Sequence, residues 1–367
     1  MRAAILEEAG KPLVVRDDVE IIEPRAGEVR VRVKYCGLCH SDLGIVDGTM
    51  PMAAFPIILG HEAAGVIDCV GAGVEGLAPG DPVVLTPVPP CGRCYYCQRQ
   101  QHSLCVNGMN IMTNTFQDGS TGLSLDGEVV WRGLGVAALA EYVVAPASGA
   151  IKVDPDIPLD VACVIGCALQ TGVGAVLNTA RVEEGATVLI MGAGGIGISA
   201  VQGARLAGAS TILVSDPNPA RREAALSFGA TDTIDPTKSD VIAHCLAITD
   251  SIGMDYAFET AGVAALIETG FNAIRNGGKV TCVGAPPLED SITIPSAVVF
   301  AISEKQICGC LLGSCNSLQE IPRLIRLWQA GKLDLDGMVT ARRPLAEVNE
   351  GFADLAAGKG IRTVLEI

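Results

Sequence analysis

Val188-Leu189-Ile190-Met191-Gly192-Ala193-Gly194-Gly195-Ile196-Gly197 is the stretch that decides the fold. Apolar residues make a short buried strand, and the glycines after them spell G-x-G-x-x-G before an apolar helix. Gly192 permits a tight turn, Gly194 lets the backbone approach a pyrophosphate, and Gly197 lets the helix pack close to the strand. Gly195 and Ile196 complete the turn and open the helix, whose N-terminus suits a phosphate. Alone, a glycine triplet fits any strand–helix turn. Here the next strand ends in Asp216, about 20 residues on, which completes a dinucleotide-binding unit. A carboxylate there accepts hydrogen bonds from an adenosine ribose and repels a 2′-phosphate, so NAD is expected ahead of NADP. Arg221 and Arg222 pull the other way: they either attract such a phosphate or begin a solvated helix.

Around this unit the same alternation continues. Thr187–Met191, a helix to about Ala207, Thr211–Ser215 and a helix to about Phe228 read as a parallel sheet wound with crossover helices. The character changes near residue 160, and residues 1 to about 150 read instead as short strands and turns. Glu28-Val29-Arg30-Val31-Arg32-Val33-Lys34 alternates strictly, as a half-buried strand should. Pro79-Gly80-Asp81 and the Pro-rich residues 87–90 are turn and loop signals. Residues 106–135 are polar, Gly-rich and weakly periodic, which predicts a long loop over the surface or a partner subunit. After about residue 311 a helix over Ser317–Ala330 and a final strand Thr363–Glu366 return to a mixed pattern. The expected class is α/β, a doubly wound Rossmann sheet with a second domain.

The chain has 367 residues, too many for one ordinary core, so two domains are expected. Hydrophobic residues make up 49% and aromatic ones only 4%, so Val, Ile, Leu and Ala must build the core. A net charge of -15 excludes nucleic acid and anionic membranes as partners, since both demand a positive surface. The 14 cysteines sit in a long chain without a recognisable signal peptide. They read as reduced thiols and metal ligands in a cytoplasmic protein. No stretch has the length and purity of a transmembrane helix.

The densest cysteines are Cys91-x2-Cys94-x2-Cys97-x7-Cys105. Thiolates at that spacing turn back on one ion and close a four-sulfur zinc site, which stabilises a loop and leaves no open position for chemistry. Three further motifs hold candidate ligands: Gly37-Leu38-Cys39-His40-Ser41-Asp42, Gly60-His61-Glu62 and Gly166-Cys167-Ala168. Two thiolates and an imidazole make a three-ligand zinc site with one position free for water or substrate. Taken singly, Cys167 on an apolar stretch fits a core position as well. Cys36, Cys69, Cys163, Cys245, Cys282, Cys308, Cys310 and Cys315 match no ligand position and read as buried or inert.

That three-ligand set is the one known from alcohol dehydrogenases. Nearly end to end, the chain resembles the zinc-dependent medium-chain dehydrogenase family and its liver-type branch. The likeness rests on Gly-His-Glu, the four-cysteine lobe, the Cys167 segment, the glycine motif with its Asp, and Gly360-Ile361-Arg362-Thr363. It implies a mainly β, GroES-like catalytic domain over residues 1–168 and 312–367, and an NAD-binding Rossmann domain over 169–311. It also implies two zinc ions per chain. Cys39, His61 and Cys167 correspond to the catalytic zinc ligands, and Cys91, Cys94, Cys97 and Cys105 to the structural ones. Ser41 corresponds to the first hydroxyl of a proton relay. Asp42 resembles the carboxylate that orients His61, and Glu62 one that assists ligand exchange. His40 and Arg362 resemble contacts to the coenzyme pyrophosphate, and Thr171 and Val283 contacts to its nicotinamide half.

The resemblance further implies an NAD-dependent enzyme that oxidises primary alcohols to aldehydes. One departure stands out: Gly44 occupies the place where liver-type relatives often end the relay with a histidine. Among competing functions, the branch acting on the S-(hydroxymethyl)glutathione adduct of formaldehyde ranks second, because Met50-Pro51-Met52-Ala53-Ala54-Phe55 carries no charge. A non-catalytic NAD-binding relative would have lost catalytic ligands, and all three are present. The segment after Cys105, with Gln117-Asp118-Gly119, resembles the insertion of the dimeric branch, so a homodimer joined by edge strands near Ile294 is expected. Two aromatic channel positions of liver-type relatives register here with Pro87 and Gly133, beside Pro51 and Asn110. The missing rings imply a wider channel suited to a bulky allylic, benzylic or longer aliphatic alcohol, unless Trp131 fills the space. Each buried methylene would favour the larger alcohol by about 0.8 kcal/mol.

Overall fold

The computed structural model describes residues 1–51, 54–294 and 296–367. Two compact units divide the chain, Met1–Ala168 with Cys315–Ile367, and Leu169–Ser314.

The first unit grows from the alternating strand, which runs over Glu28–Gly37. Val29, Val31 and Val33 turn inward and are buried, while Arg30 and Arg32 turn the other way. Antiparallel neighbours flank it: Glu62–Val70 on one side, Tyr142–Pro146 and Arg362–Glu366 along the other. Pro82–Leu85, Ala150–Lys152 and Val339–Pro344 complete a seven-stranded sheet. A four-stranded sheet of Trp131–Arg132, Ile57–Ile58, Ala3–Leu6 and Val14–Arg16 contributes to the same core. That core is aliphatic, as the composition requires, and Ile57, Ile58, Leu59 and Leu139 are wholly buried in it. Seating Ile57–Ile58 deep in the core fixes the position of Gly60-His61-Glu62 just beyond it.

Residues 106–135 depart from the expected loop. They form short helical turns at Val106–Met109 and Asn110–Thr113, then strand Leu123–Leu125, which pairs with Glu20–Ile21 on one side and with Glu128–Val129 on the other. Phe116 lies between two guanidiniums, 4.6 Å from Arg25 and 3.9 Å from Arg132. Arg132 is only 1% exposed and donates to the carbonyls of Gly135 (3.2 Å) and Val144 (2.8 Å). Burial pulls its pKa down to about 9, which leaves it charged at neutral pH. The segment is held by these contacts, which simple periodicity does not express.

The second unit is one parallel sheet of six strands. Their order is Asp232–Ile234, Thr211–Ser215, Thr187–Met191, Met254–Glu259, Ile274–Cys282 and Gln306–Gly309. Helices Gly195–Ala207, Pro219–Phe228, Val241–Ile248 and Ala264–Ala273 connect these strands. Sequence order reverses between Thr187–Met191 and Met254–Glu259, so the strand ends there open a crevice in which such folds bind ligands. Asp232–Ile234 and Gln306–Gly309 are the two edge strands of the sheet. Residues 291–294 form no strand, so the edge pairing expected near Ile294 has no ready-made strand in the single chain. Among the described residues no single helix is long and apolar enough to cross a membrane.

Candidate active site and metal centres

Cys39 follows the end of the Glu28–Gly37 strand and precedes a short helix, His40–Val46. Asp42, on the buried side of that helix, accepts the backbone N–H of Gly60 at 2.8 Å through Oδ1. Its Oδ2 lies 3.0 Å from Nδ1 of His61. One carboxylate therefore ties down the chain entering His61 and stands beside the ring itself. Cys167 comes from the last turn before Ala168. The ligand atoms of Cys39, His61, Glu62 and Cys167 all lie within 4.8 Å of one another. Ser41 Oγ is 3.9 Å from the Cys39 sulfur.

The ionisable groups of this cluster act strongly on one another. The Cys167 side chain, opposed by burial and helped by His61, holds the Cys39 thiol well below its ordinary range. Cys167, the partner in that contact, is pushed up well above it. Burial alone would lower His61, but Asp42 and Cys39 carry it well above its usual value. Burial raises Glu62 to about 8, with Arg362 pulling it back. Arg362 is itself buried, donates to Leu38 O at 2.6 Å and stands 3.5 Å from Glu62. The structure thus brings Arg362 into this cluster, whereas His40 is exposed. Two soft sulfurs, an oriented imidazole and a buried carboxylate within one small volume fit zinc.

Cys91, Cys94, Cys97 and Cys105 form a second cluster, again with every sulfur within 4.8 Å of the others. Backbone N–H groups point at these sulfurs, from Cys91 to Cys105 (3.2 Å), Cys94 to Cys91 (3.4 Å) and Cys97 to Cys94 (3.5 Å). Amides aimed at sulfur stabilise thiolates, and they lower Cys94 to about 6. Burial lifts Cys105 to about 12. Four thiols folded onto one point, with no carboxylate or imidazole among them, also fit zinc. All fourteen cysteines are free thiols. Of those expected to be inert, Cys36, Cys163, Cys245 and Cys315 are buried, but Cys69, Cys282, Cys308 and Cys310 are half-buried.

In the second unit the glycines divide their labour. Gly192 has φ +101°, a conformation that L side chains rarely adopt. A Cβ on Gly197 would stand 1.9 Å from Gly192 O, so the helix can approach the turn only with hydrogen there. A Cβ on Gly194 would meet nothing within 4 Å. Gly194 therefore keeps open a space that the protein itself does not fill, which fits a bound pyrophosphate. Asp216 is buried at the end of its strand, and its two oxygens accept Ala193 N–H and Asn218 N–H at 2.8 Å each. Arg222 turns back onto Asp216 O, Pro217 O and Asp235. Thr171 and Val283 belong to the same unit and are largely buried.

One channel expectation needs correction. A Cβ at Gly133 would lie 2.6 Å from Ile58 O and 2.9 Å from Leu59 Cα, so this position faces the neighbouring strand. An aromatic ring could not occupy it, and its absence says nothing about channel width. Trp131 pairs with Ile57 and lines a cavity of about 540 Å³ with Ile21, Thr121, Leu123 and Val129. Pro87 and Asn110 are buried and Pro51 is exposed, while Met52 and Ala53 fall outside the described residues. Sequence reasoning missed three buried charged residues, Arg132, Glu259 and Glu320; none lies in a recognisable motif.

The comparisons agree with this geometry. Residues 25–155 match the alcohol dehydrogenase GroES-like domain and residues 195–330 the zinc-binding dehydrogenase domain. The chain is 36% identical to an alcohol dehydrogenase class-3 of Myxine glutinosa, covering 100% of this chain and 97% of the relative. It is 38% identical to an NDMA-dependent alcohol dehydrogenase of Amycolatopsis methanolica, over 99% and 98% of the two chains. The crystal structure of benzyl alcohol dehydrogenase from Acinetobacter calcoaceticus superposes with a TM-score of 0.93 at 30% identity, over 100% of this chain and 99% of that one. With the cysteine clusters assembled and the dinucleotide turn formed, this chain belongs to the medium-chain, zinc-binding alcohol dehydrogenase family.

Proposed function

We propose that the protein oxidises bulky primary alcohols, reversibly, to aldehydes with NAD⁺ as acceptor. The observation that carries the reading is the convergence of Cys39, His61 and Cys167, with Ser41 beside them. When bound, zinc supplies a Lewis acid that makes an alcohol more acidic, and NAD⁺ supplies the hydride acceptor. Cys39, His61 and Cys167 hold the metal, and Glu62 stands within reach to assist exchange. Asp42 keeps His61 oriented and basic. Ser41 takes the alcohol proton through its hydroxyl. Beyond it the relay lacks a base, because at Gly44 the space for a side chain is filled by Met50, 2.9 Å from where a Cβ would stand. Protons therefore leave to water, and turnover near neutral pH should rise with buffer concentration.

The turn from Gly192 to Gly197, with Gly195 and Ile196 at the helix start, seats the pyrophosphate, and Asp216 takes the ribose. His40 and Arg362 serve the pyrophosphate, and Thr171 and Val283 the nicotinamide. Arg222 is spent on Asp216, Pro217 and Asp235, which favours NAD over NADP. The family likeness to a benzyl alcohol dehydrogenase supports a benzylic or allylic substrate. Initial rates with ethanol, hexanol, a terpenoid allylic alcohol and benzyl alcohol test this, each with NAD⁺, NADP⁺ or added NDMA. A preference for ethanol removes the bulky-substrate reading, and turnover that requires NDMA removes free NAD⁺ as the acceptor. Formaldehyde with and without glutathione tests the adduct reading.

Four thiolates from Cys91 to Cys105 hold a second, structural zinc. A second copy of the chain suits the exposed apolar side chains that precede the edge strand Gln306–Gly309 in the chain, among them Leu288 (68% exposed), Val298 (65%) and Ile302 (75%). Reduced thiols throughout fit a cytoplasmic compartment.

A further inference from the structure

Glu259 closes the Met254–Glu259 strand and is completely buried. Its Oε1 accepts three successive backbone N–H groups, from Ala261 and Gly262 at 2.7 Å and Val263 at 3.2 Å. These amides belong to the turn that runs into the helix Ala264–Ala273, so the chain's own carboxylate ties that turn together. Its backbone carbonyl accepts Val283 N–H at 2.9 Å and Gly284 N–H at 3.0 Å. Among the described residues Oε2 has no hydrogen-bond partner, and a Cβ on Gly284 would stand only 2.6 Å from it.

The next residue carries the connection to the glycine turn. Thr260 N–H donates to Met191 O at 3.0 Å, and its hydroxyl is shared between Met191 O and Gly192 O at 2.9 Å each. Thr260 Oγ is also 3.1 Å from where a Cβ on Gly197 would be. Residues 259–263 therefore back the turn on one side and hold Val283 on the other. A buried carboxylate with one idle oxygen is a costly way to tie a loop, unless the alignment it fixes matters.

We propose that Glu259 is a positioning residue for the dinucleotide, clamping the 260–263 turn so that the glycine turn and Val283 present one fixed surface to it. The inference rests on the coenzyme reading above. Shortening or removing the side chain frees three amides and slackens both halves of that surface, without touching the zinc ligands.

The test uses the full, zinc-loaded chain with Glu259→Ala, Glu259→Asp and Glu259→Gln. Glu259→Ala should weaken NADH binding, read by fluorescence, by about tenfold or more, the cost of stranding buried donors. KM for NAD⁺ should rise in step while KM for the alcohol and zinc content stay unchanged. Glu259→Gln keeps an acceptor at Oε1 and should stay within about threefold of the parent. If Glu259→Ala fails to fold, Glu259→Asp decides, since its carboxylate is drawn back by a methylene and should still weaken NADH binding. A folded Ala or Asp variant that binds NADH like the parent overturns the proposal, as does a loss of thermal stability alone. If the parent binds no NADH, the coenzyme reading falls separately. Hydrogen exchange of amides 192–197 without ligand then decides: faster exchange in the Ala or Asp variant supports the clamp, and unchanged exchange refutes it.

Discussion

At Gly194 and Gly197 the same missing methyl group serves opposite ends. The protein excludes a Cβ at Gly197, where Gly192 O is 1.9 Å away, and tolerates one at Gly194, where nothing lies within 4 Å. Gly197→Ala should therefore cost stability, about 2–4 kcal/mol by urea unfolding, since backbone must move. Gly194→Ala should leave the unfolding midpoint unchanged yet weaken NADH binding about tenfold or more, because the new methyl group meets only the ligand. An unchanged affinity would mean that no pyrophosphate lies there. The cysteines make a similar pair. Cys167→Ala should abolish alcohol turnover while NADH binding and the fold survive. Cys97→Ala should instead lower thermal stability and promote aggregation, since a closed site contributes to folding directly. If calorimetry and rate measurements gave the reverse pattern, the two metal assignments would be exchanged. The four-cysteine cluster could be read from spacing because side-chain chemistry limits what dense thiols can do, whereas Cys39, His61 and Cys167 are scattered along the chain and were named through the family resemblance.

Among the elements, those that announce themselves by period were legible. The 28–34 alternation became the strand Glu28–Gly37, and the Rossmann strands and helices lie within a residue or two of their expected ends. The stretch expected to be helical from Ser317 is a helix over Ser317–Gln329. Residues 106–135 were not legible, because their order comes from partners far away in the chain. Glu20–Ile21 supplies a strand, and Arg25 a guanidinium over Phe116. Gly133 shows the same failure at closer range: counting residues along an irregular segment cannot tell which way a Cβ points. Arg132 carries the testable consequence. Arg132→Ala strands the carbonyls of Gly135 and Val144 and removes the cation from Phe116. Urea unfolding should show a loss of about 2–4 kcal/mol, and early proteolysis should fall within 106–135. A variant as stable as the parent would show that the segment is held by something else.

For the whole molecule, metal analysis should return about two zinc ions per chain. Light scattering at micromolar concentration should show a dimer; a monomer would leave the apolar side chains that precede Gln306–Gly309 without a partner. The division of the chain into units has a further consequence, for biosynthesis. All six strands of the Leu169–Ser314 sheet follow one another without interruption, so that unit has everything it needs once residue 314 is made. The first unit does not. Arg362–Glu366 lies inside its seven-stranded sheet, beside Glu28–Gly37, and is the last strand to be synthesised. Until it arrives, Arg362 cannot reach Glu62 and Leu38, and the strand leading to Cys39 lacks a neighbour. The unit that holds both cysteine clusters thus depends on a strand made after Ser314, so it is completed only after the Leu169–Ser314 unit can already form.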